Sequence, residues 1–207
     1  MDERLSNYDV LVLCGGYGTR LKGIIPAGLP KCLADVNGKP FLYYQLDYLK
    51  RQGFRKIVLC TGYGSSLVQQ ATYNWADRQR CLFSDEGTPK GTMNAVRTAI
   101  LSLAKCGLTN EFFIVNGDTY LDTDLEKLAA PVSEKIIFGV SPQFQPVGVY
   151  KASASFFLLN DSESFHNLED AIIHRPLSCT WRLVKEPFHD IGTPEGLAIF
   201  RALAKTL

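Results

Sequence analysis

Val10-Leu11-Val12-Leu13-Cys14-Gly15-Gly16-Tyr17-Gly18-Thr19-Arg20-Leu21, followed after a short gap by Pro30-Lys31-Cys32-Leu33, reads as a buried strand running into a phosphate-binding loop. The run from Val10 to Cys14 is apolar, β-prone and short, as a strand covered on both faces must be. Three glycines follow it. Gly15, Gly16 and Gly18 are free to adopt positive φ and to present unhindered N–H groups to phosphate oxygens. Arg20 and Lys31 add fixed positive charge, and the combination implies a triphosphate ligand. A dinucleotide fingerprint would place a third glycine where Leu21 stands, and a P-loop would place Gly-Lys-Ser/Thr at Gly23-Ile24-Ile25. Neither pattern fits.

Outward from this loop, apolar runs alternate with helix-period segments, the pattern of a parallel sheet wound with helices. A helix is expected after Gly38-Lys39-Pro40, with Leu42, Leu46 and Leu49 on one face and Gly53 at its end. Strands are expected at 56–60 and 80–84, separated by a less regular segment holding Trp75. A helix with Met93, Val96, Ile100 and Leu103 on one face then leads to a strand at 112–115, which runs into Asn116-Gly117-Asp118. Further strands are read at 135–140, 147–150 and 180–184, and a helix at 167–174. A last helix opens at Thr193-Pro194, with Leu197, Phe200, Leu203 and Leu207 packing it onto the sheet. The fold class is therefore α/β, a Rossmann-like three-layer sandwich with a mostly parallel sheet.

Composition narrows the partners. The chain has 207 residues, enough for one α/β domain (1–207) with a substantial core, and 22 basic against 21 acidic residues give a formal net charge of +1. That balance offers no broad attraction to nucleic acid or to a membrane surface. The six cysteines are scattered without a Cys-x-x-Cys pair, and several sit inside apolar runs, which points to a reducing cytoplasm. No apolar run approaches the length of a signal core or a membrane span. A homo-oligomer is left open.

Two acidic residues occupy matching places. Asp118 follows a buried strand and a glycine, so its carboxylate projects from the carboxyl edge of the sheet, where open α/β sheets bind ligands. Asp190, in Phe188-His189-Asp190-Ile191-Gly192-Thr193-Pro194, lies between a strand and a helix start. Together they suit Mg²⁺, which prefers one or two carboxylates with phosphate oxygens and waters. His166, His174 and His189 share no ligand spacing, and Tyr43, Tyr44 and Tyr48 read as packing residues.

These pieces, in this order, resemble the sugar-1-phosphate nucleotidyltransferases: the Gly-Gly-x-Gly-Thr-Arg-Leu loop, the Pro-Lys, an Asp after a strand and a second metal Asp. Val115 to Tyr120, Asp190 to Glu195 and the helix start Lys39 to Leu42 look most like heptose-1-phosphate and mannose-1-phosphate guanylyltransferases. The resemblance implies the fold of the nucleotide-diphospho-sugar transferases and an enzyme that joins a nucleoside triphosphate, GTP favoured, to a heptose- or mannose-type sugar 1-phosphate. By it, Leu13, Gly15, Gly16, Gly18, Thr19, Asn116 and Gly117 belong to the nucleotide-binding set. Arg20 grips the β- and γ-phosphates and Lys31 the α-phosphate. Gly91 and Thr92 match a base-contacting loop with Glu86 nearby, Asp118 and Asp190 match the metal ligands, and Gly148 lines the sugar pocket. The chain departs from the family where Pro142 to Pro146 replaces a sugar-binding hairpin. That loss motivates a second reading, a catalytically silent regulatory subunit that binds a nucleotide sugar. Other acceptors, such as a molybdopterin or an alkyl phosphate, are the remaining variants of the same chemistry.

Overall fold

The computed structural model describes residues 5–130, 136–159, 165–174 and 178–207. Its first strand, β1 (Asp9–Leu13), is buried along its whole length. Because strand side chains alternate, Val10 and Val12 enter one core while Leu11 and Leu13 enter another. Each such side chain contributes roughly 1.5–3 kcal/mol on burial, so the strand requires cover on both faces. The rest of the chain supplies it.

In order come the ribbon β2 (Asp35–Val36) and β3 (Lys39–Pro40), α1 (Phe41–Arg51), β4 (Ile57–Thr61), α2 (Ser65–Tyr73) and β5 (Cys81–Asp85). Then follow α3 (Thr92–Ser102), β6 (Glu111–Asn116), β7 (Thr119–Leu121), β8 (Ile136–Val140), β9 (Pro146–Ser153) and α4 (Ala154–Leu159). The chain closes with α5 (Leu168–His174), β10 (Cys179–Leu183), β11 (Phe188–Asp190) and α6 (Pro194–Leu203). Seven strands form one sheet in the order β10-β8-β9-β6-β1-β4-β5. All neighbouring pairs are parallel except the two made by β9, which runs against β6 and β8. The fold is thus the α/β, mostly parallel sheet expected. One core joins the sheet to α1 and α6, the other to α3, α4 and α5.

Some elements differ from expectation. The segment after β4 contains α2, which buries only Val68 and Thr72, too thin a stripe to show as an apolar period. α4 was not foreseen because Phe156 and Phe157, both buried, sit in an apolar run with no polar face to set the period. Phe188–Asp190 is itself a strand, paired antiparallel with β7. In the last helix Leu197 and Phe200 are buried but Leu207 is 58% exposed, beyond the helix end. Phe200 packs edge-on against Phe41, with ring centroids 4.9 Å apart, so α6 leans on α1. The strand expected at 135–140 is found from Ile136, and Lys135 lies outside the described residues. Tyr43, Tyr44 and Tyr48 donate their hydroxyls to the carbonyls of Ala71, Val36 and Thr123, which fixes them as packing residues. Among the described residues no helix is long and apolar enough to cross a membrane.

Candidate active site

From β1 the chain winds to β4 and β5 on one side, then returns to β6 on the other, so β1 and β6 flank the point where the strand order reverses. Ligands of open α/β sheets bind outside the carboxyl ends of the strands at such a point. A cleft of about 330 Å³ opens there. Its lining includes Leu13, Gly15, Gly16, Arg20, Lys31, Glu86, Gly91, Thr92, Asn116, Asp118 and Asp190 from the sequence reading, together with Pro89, Ala95, Asn167 and Glu169, which that reading missed.

Four expected residues stand off the cleft. Gly18 and Thr19 line a neighbouring apolar cavity with Tyr17, Ile25 and Tyr63. Gly117 and Gly148 lie behind the wall, Gly148 against the side chains of Asn116 and Thr119. Of the three loop glycines only Gly18 is left-handed, with φ 62°. Gly15 serves by closeness instead: a Cβ there would meet the Gly62 nitrogen at 3.1 Å and Glu86 Oε1 at 3.4 Å. The loop is tied to β4 through Cys14 N–H to the Cys60 carbonyl at 2.8 Å and Tyr63 N–H to the Gly15 carbonyl at 3.1 Å. A hydrogen bond with Cys32 and then burial push the Cys14 thiol up, and burial does the same for Cys60. Both stay neutral, adding no negative charge beneath the loop.

The turn after β6 is held from below. Buried Gln45 of α1 donates from Nε2 to the carbonyls of Asn116 at 2.7 Å and Thr119 at 2.8 Å. A glutamine on the apolar face of α1, between Leu42 and Leu46, was the available signal for this role. Gly117 donates its N–H to the Leu13 carbonyl at 3.1 Å, and a Cβ there would lie 2.5 Å from that oxygen. Gly117→Ala must therefore part β6 from β1. We expect a loss of about 1–3 kcal/mol in urea unfolding at unchanged m-value. An alanine variant as stable as the parent would show that the turn gives way without strain.

Asp118 then enters the cleft, and the β7–β11 ribbon brings Asp190 to it, since Asp190 pairs with Thr119. A Cβ at Gly192 would lie 2.7 Å from Arg20 Nη2, 2.8 Å from Asp190 Oδ1 and 3.0 Å from Asp118 Oδ2, so one cation and two carboxylates converge on one point. Lys31 Nζ donates to Asp118 Oδ2. Arg20 Nη2 stands 4.0 Å from Asp190 Oδ2. The Asp118 side chain is 8% exposed and that of Asp190 41%, so the first is the more demanding of a counter-charge. Beside Asp190, burial lowers the His189 imidazole while the charge of Asp122 opposes it.

A family model for the MobA-like NTP transferase domain matches residues 10–170. The chain belongs to that family. Over 118 residues this MobA-like chain is 38% identical to the D-glycero-alpha-D-manno-heptose 1-phosphate guanylyltransferase of Campylobacter jejuni, a match covering 57% of the chain and 51% of that protein. Over 120 residues it is 32% identical to the enzyme of the same name from Aneurinibacillus thermoaerophilus, covering 58% and 50%. The chain thus spans about half the length of the curated relatives it matches. The crystal structure of HddC from Yersinia pseudotuberculosis complexed with GMP-PN superposes with a TM-score of 0.76 at 25% identity, covering 97% of the chain and all of that structure.

Within this MobA-like fold the far wall of the cleft is built by a contact that sequence reading did not supply. Gly91, with φ 99°, lets the His166 backbone lie against it, where any Cβ would collide with the His166 carbonyl. Met93 N–H donates to that carbonyl at 3.1 Å, and Leu168 N–H donates to Thr92 Oγ1 at 2.8 Å. The pair read as a base-contacting loop therefore also fastens α5 over the start of α3. Glu86 is fixed nearby, its Oε2 accepting from Asn94 Nδ2 at 2.7 Å.

Proposed function

We propose that this chain is a sugar-1-phosphate nucleotidyltransferase that uses GTP and a heptose- or mannose-type sugar 1-phosphate, working in the cytoplasm as a single domain. The observation that carries the proposal is the convergence of Arg20, Asp118 and Asp190 on one point, with Lys31 on Asp118, at the switch point of the sheet. A sensor of nucleotide sugars has no need of that cluster, and its retention favours the catalytic reading over the regulatory one. The guanylyltransferases to which the chain is similar support the choice of base and sugar.

Chemically, a phosphate oxygen of the sugar 1-phosphate attacks the α-phosphorus in line, the α–β bridge bond breaks, and pyrophosphate leaves with the electron pair. No base is needed, because a phosphomonoester with a second pKa near ~6 is mostly dianionic at neutral pH. The barrier is charge. Arg20 neutralises the β- and γ-phosphates and Lys31 the α-phosphate, while Gly15 and Gly16 allow the backbone close to the nucleotide. Glu86 offers carboxylate oxygens to a base edge with two adjacent N–H donors, as guanine has.

Mg²⁺ fits the donor set. The described residues lining the cleft include four carboxylates (Glu86, Asp118, Glu169, Asp190) against two cations (Arg20, Lys31), a balance that repels a bare triphosphate. Among the described residues no cluster of three or more His, Cys, Asp or Glu is arranged to hold a metal on its own. Two carboxylates that leave the remaining positions to phosphate oxygens and water suit Mg²⁺. Asp118 and Asp190 would hold it, and it would supply charge neutralisation of the phosphates.

The test is pyrophosphate release with Mg²⁺, crossing GTP, CTP, UTP, dTTP and ATP with heptose and hexose 1-phosphates. We expect release to require GTP and one manno-configured sugar 1-phosphate. Silence across the panel, with the protein folded, would sink the proposal.

A further inference from the structure

Glu169 is a carboxylate in a cleft that has to accept polyanions, and the phosphate chemistry gives it no work. It forms no metal-holding group with Asp118 and Asp190. Left without hydrogen-bond donors it would only add repulsion, so its presence calls for neutral donors in the ligand. Its position is built. α5 is fastened at Thr92 and His166, and Glu169 Oε1 accepts from Tyr150 Oη at 2.5 Å. Tyr150, fully buried on β9 two residues after Gly148, has its phenol pushed up first by burial and then by the charge of Glu169, so it remains a donor. Asn167 lines the cleft one residue before the start of α5.

The turn between β8 and β9 makes this placement matter. Ser141 N–H donates to the Gln145 carbonyl at 2.9 Å and Phe144 N–H to the Ser141 carbonyl at 2.8 Å, closing the connection tightly. No described residue of 141–145 lines the cleft. We infer that Glu169, held by Tyr150 and flanked by Asn167, accepts hydrogen bonds from the hydroxyls of the sugar 1-phosphate and selects the sugar. The inference rests on the reading of the cleft as a sugar-1-phosphate site. O–H donors to a carboxylate are charge-assisted, which makes such a contact discriminating as well as strong.

The experiment has two arms, kinetics with the active pair and calorimetric titration with GDP and with GDP-mannose. For Glu169→Gln and Glu169→Ala we expect the KM for the sugar 1-phosphate to rise about 10- to 100-fold, with the KM for GTP unchanged. In calorimetry both variants weaken GDP-mannose by a similar factor and leave GDP, which carries no sugar, untouched. Tyr150→Phe, which keeps the carboxylate but removes its support, shifts the same two quantities by a smaller factor. An equal loss for GDP and GDP-mannose, or no change in either, overturns the inference. If wild type turns over no sugar 1-phosphate, the functional reading fails by itself. The difference between GDP-mannose and GDP still decides for Glu169, and a wild type that gains nothing from the sugar overturns it.

Discussion

Lys31→Ala and Arg20→Ala should each lower kcat/KM for pyrophosphate release by about 10³ to 10⁵, the range in which one cation stabilises a phosphoryl-transfer transition state. The two losses have different companions. The Arg20 side chain is 60% exposed and meets Asp190 only at 4.0 Å, so its removal leaves the resting protein as stable as before. Lys31 is 21% exposed and touches Asp118, whose carboxylate is nearly buried. Its removal strands that charge and costs on the order of 1–3 kcal/mol in unfolding free energy. Paired kinetic and urea-unfolding measurements separate the effects. Near-normal turnover in either soluble variant would remove that residue from the mechanism. Equal stability of both would mean that Asp118 finds another partner.

The fold was legible wherever burial left a period. β1, β4 and β6 are continuous apolar runs because helices cover both faces, and α1 and α3 show one clean apolar stripe each. α2 and α4 escaped for opposite reasons, the first burying too little and the second being apolar but for Ser155. The loop cations and the two aspartates were legible because each stands within two residues of a glycine or proline near a strand or helix boundary, where a charged side chain has little structural excuse. What stayed hidden depends on contacts distant in sequence. Gln45 reaches 71 residues forward to the Asn116 carbonyl, and the Thr92 hydroxyl meets Leu168 across 76 residues. A polar residue on an apolar helix face marks Gln45 without naming its partner, nothing local ties Thr92 to Leu168, and Glu169 reads as an ordinary first-turn helix acid until α5 is docked. The ribbon that unites Asp118 with Asp190 is likewise only three residues long on each strand.

Asp118→Asn should raise the Mg²⁺ concentration for half-maximal activity by more than about 100-fold, since even outer-shell changes at metal sites cost about 10- to 100-fold in affinity. Asp190→Asn should do the same more weakly, because its carboxylate is 41% exposed against 8% for Asp118 and lies less deeply in the desolvated part of the cleft. The charge balance adds a signature of opposite sign. Asp118 is the lining carboxylate that Lys31 touches, so its loss releases that cation to meet the triphosphate. In EDTA, GTP should therefore bind Asp118→Asn more tightly than wild type, while turnover in saturating Mg²⁺ remains lower. Overlaying Mg²⁺ titration curves would reduce Asp118 to a turn residue that happens to anchor Lys31. Weaker nucleotide binding in EDTA, with the metal requirement still raised, would mean that Asp118 orients Lys31 toward the α-phosphate as well as holding the metal, and that the contact between them is part of the bound state.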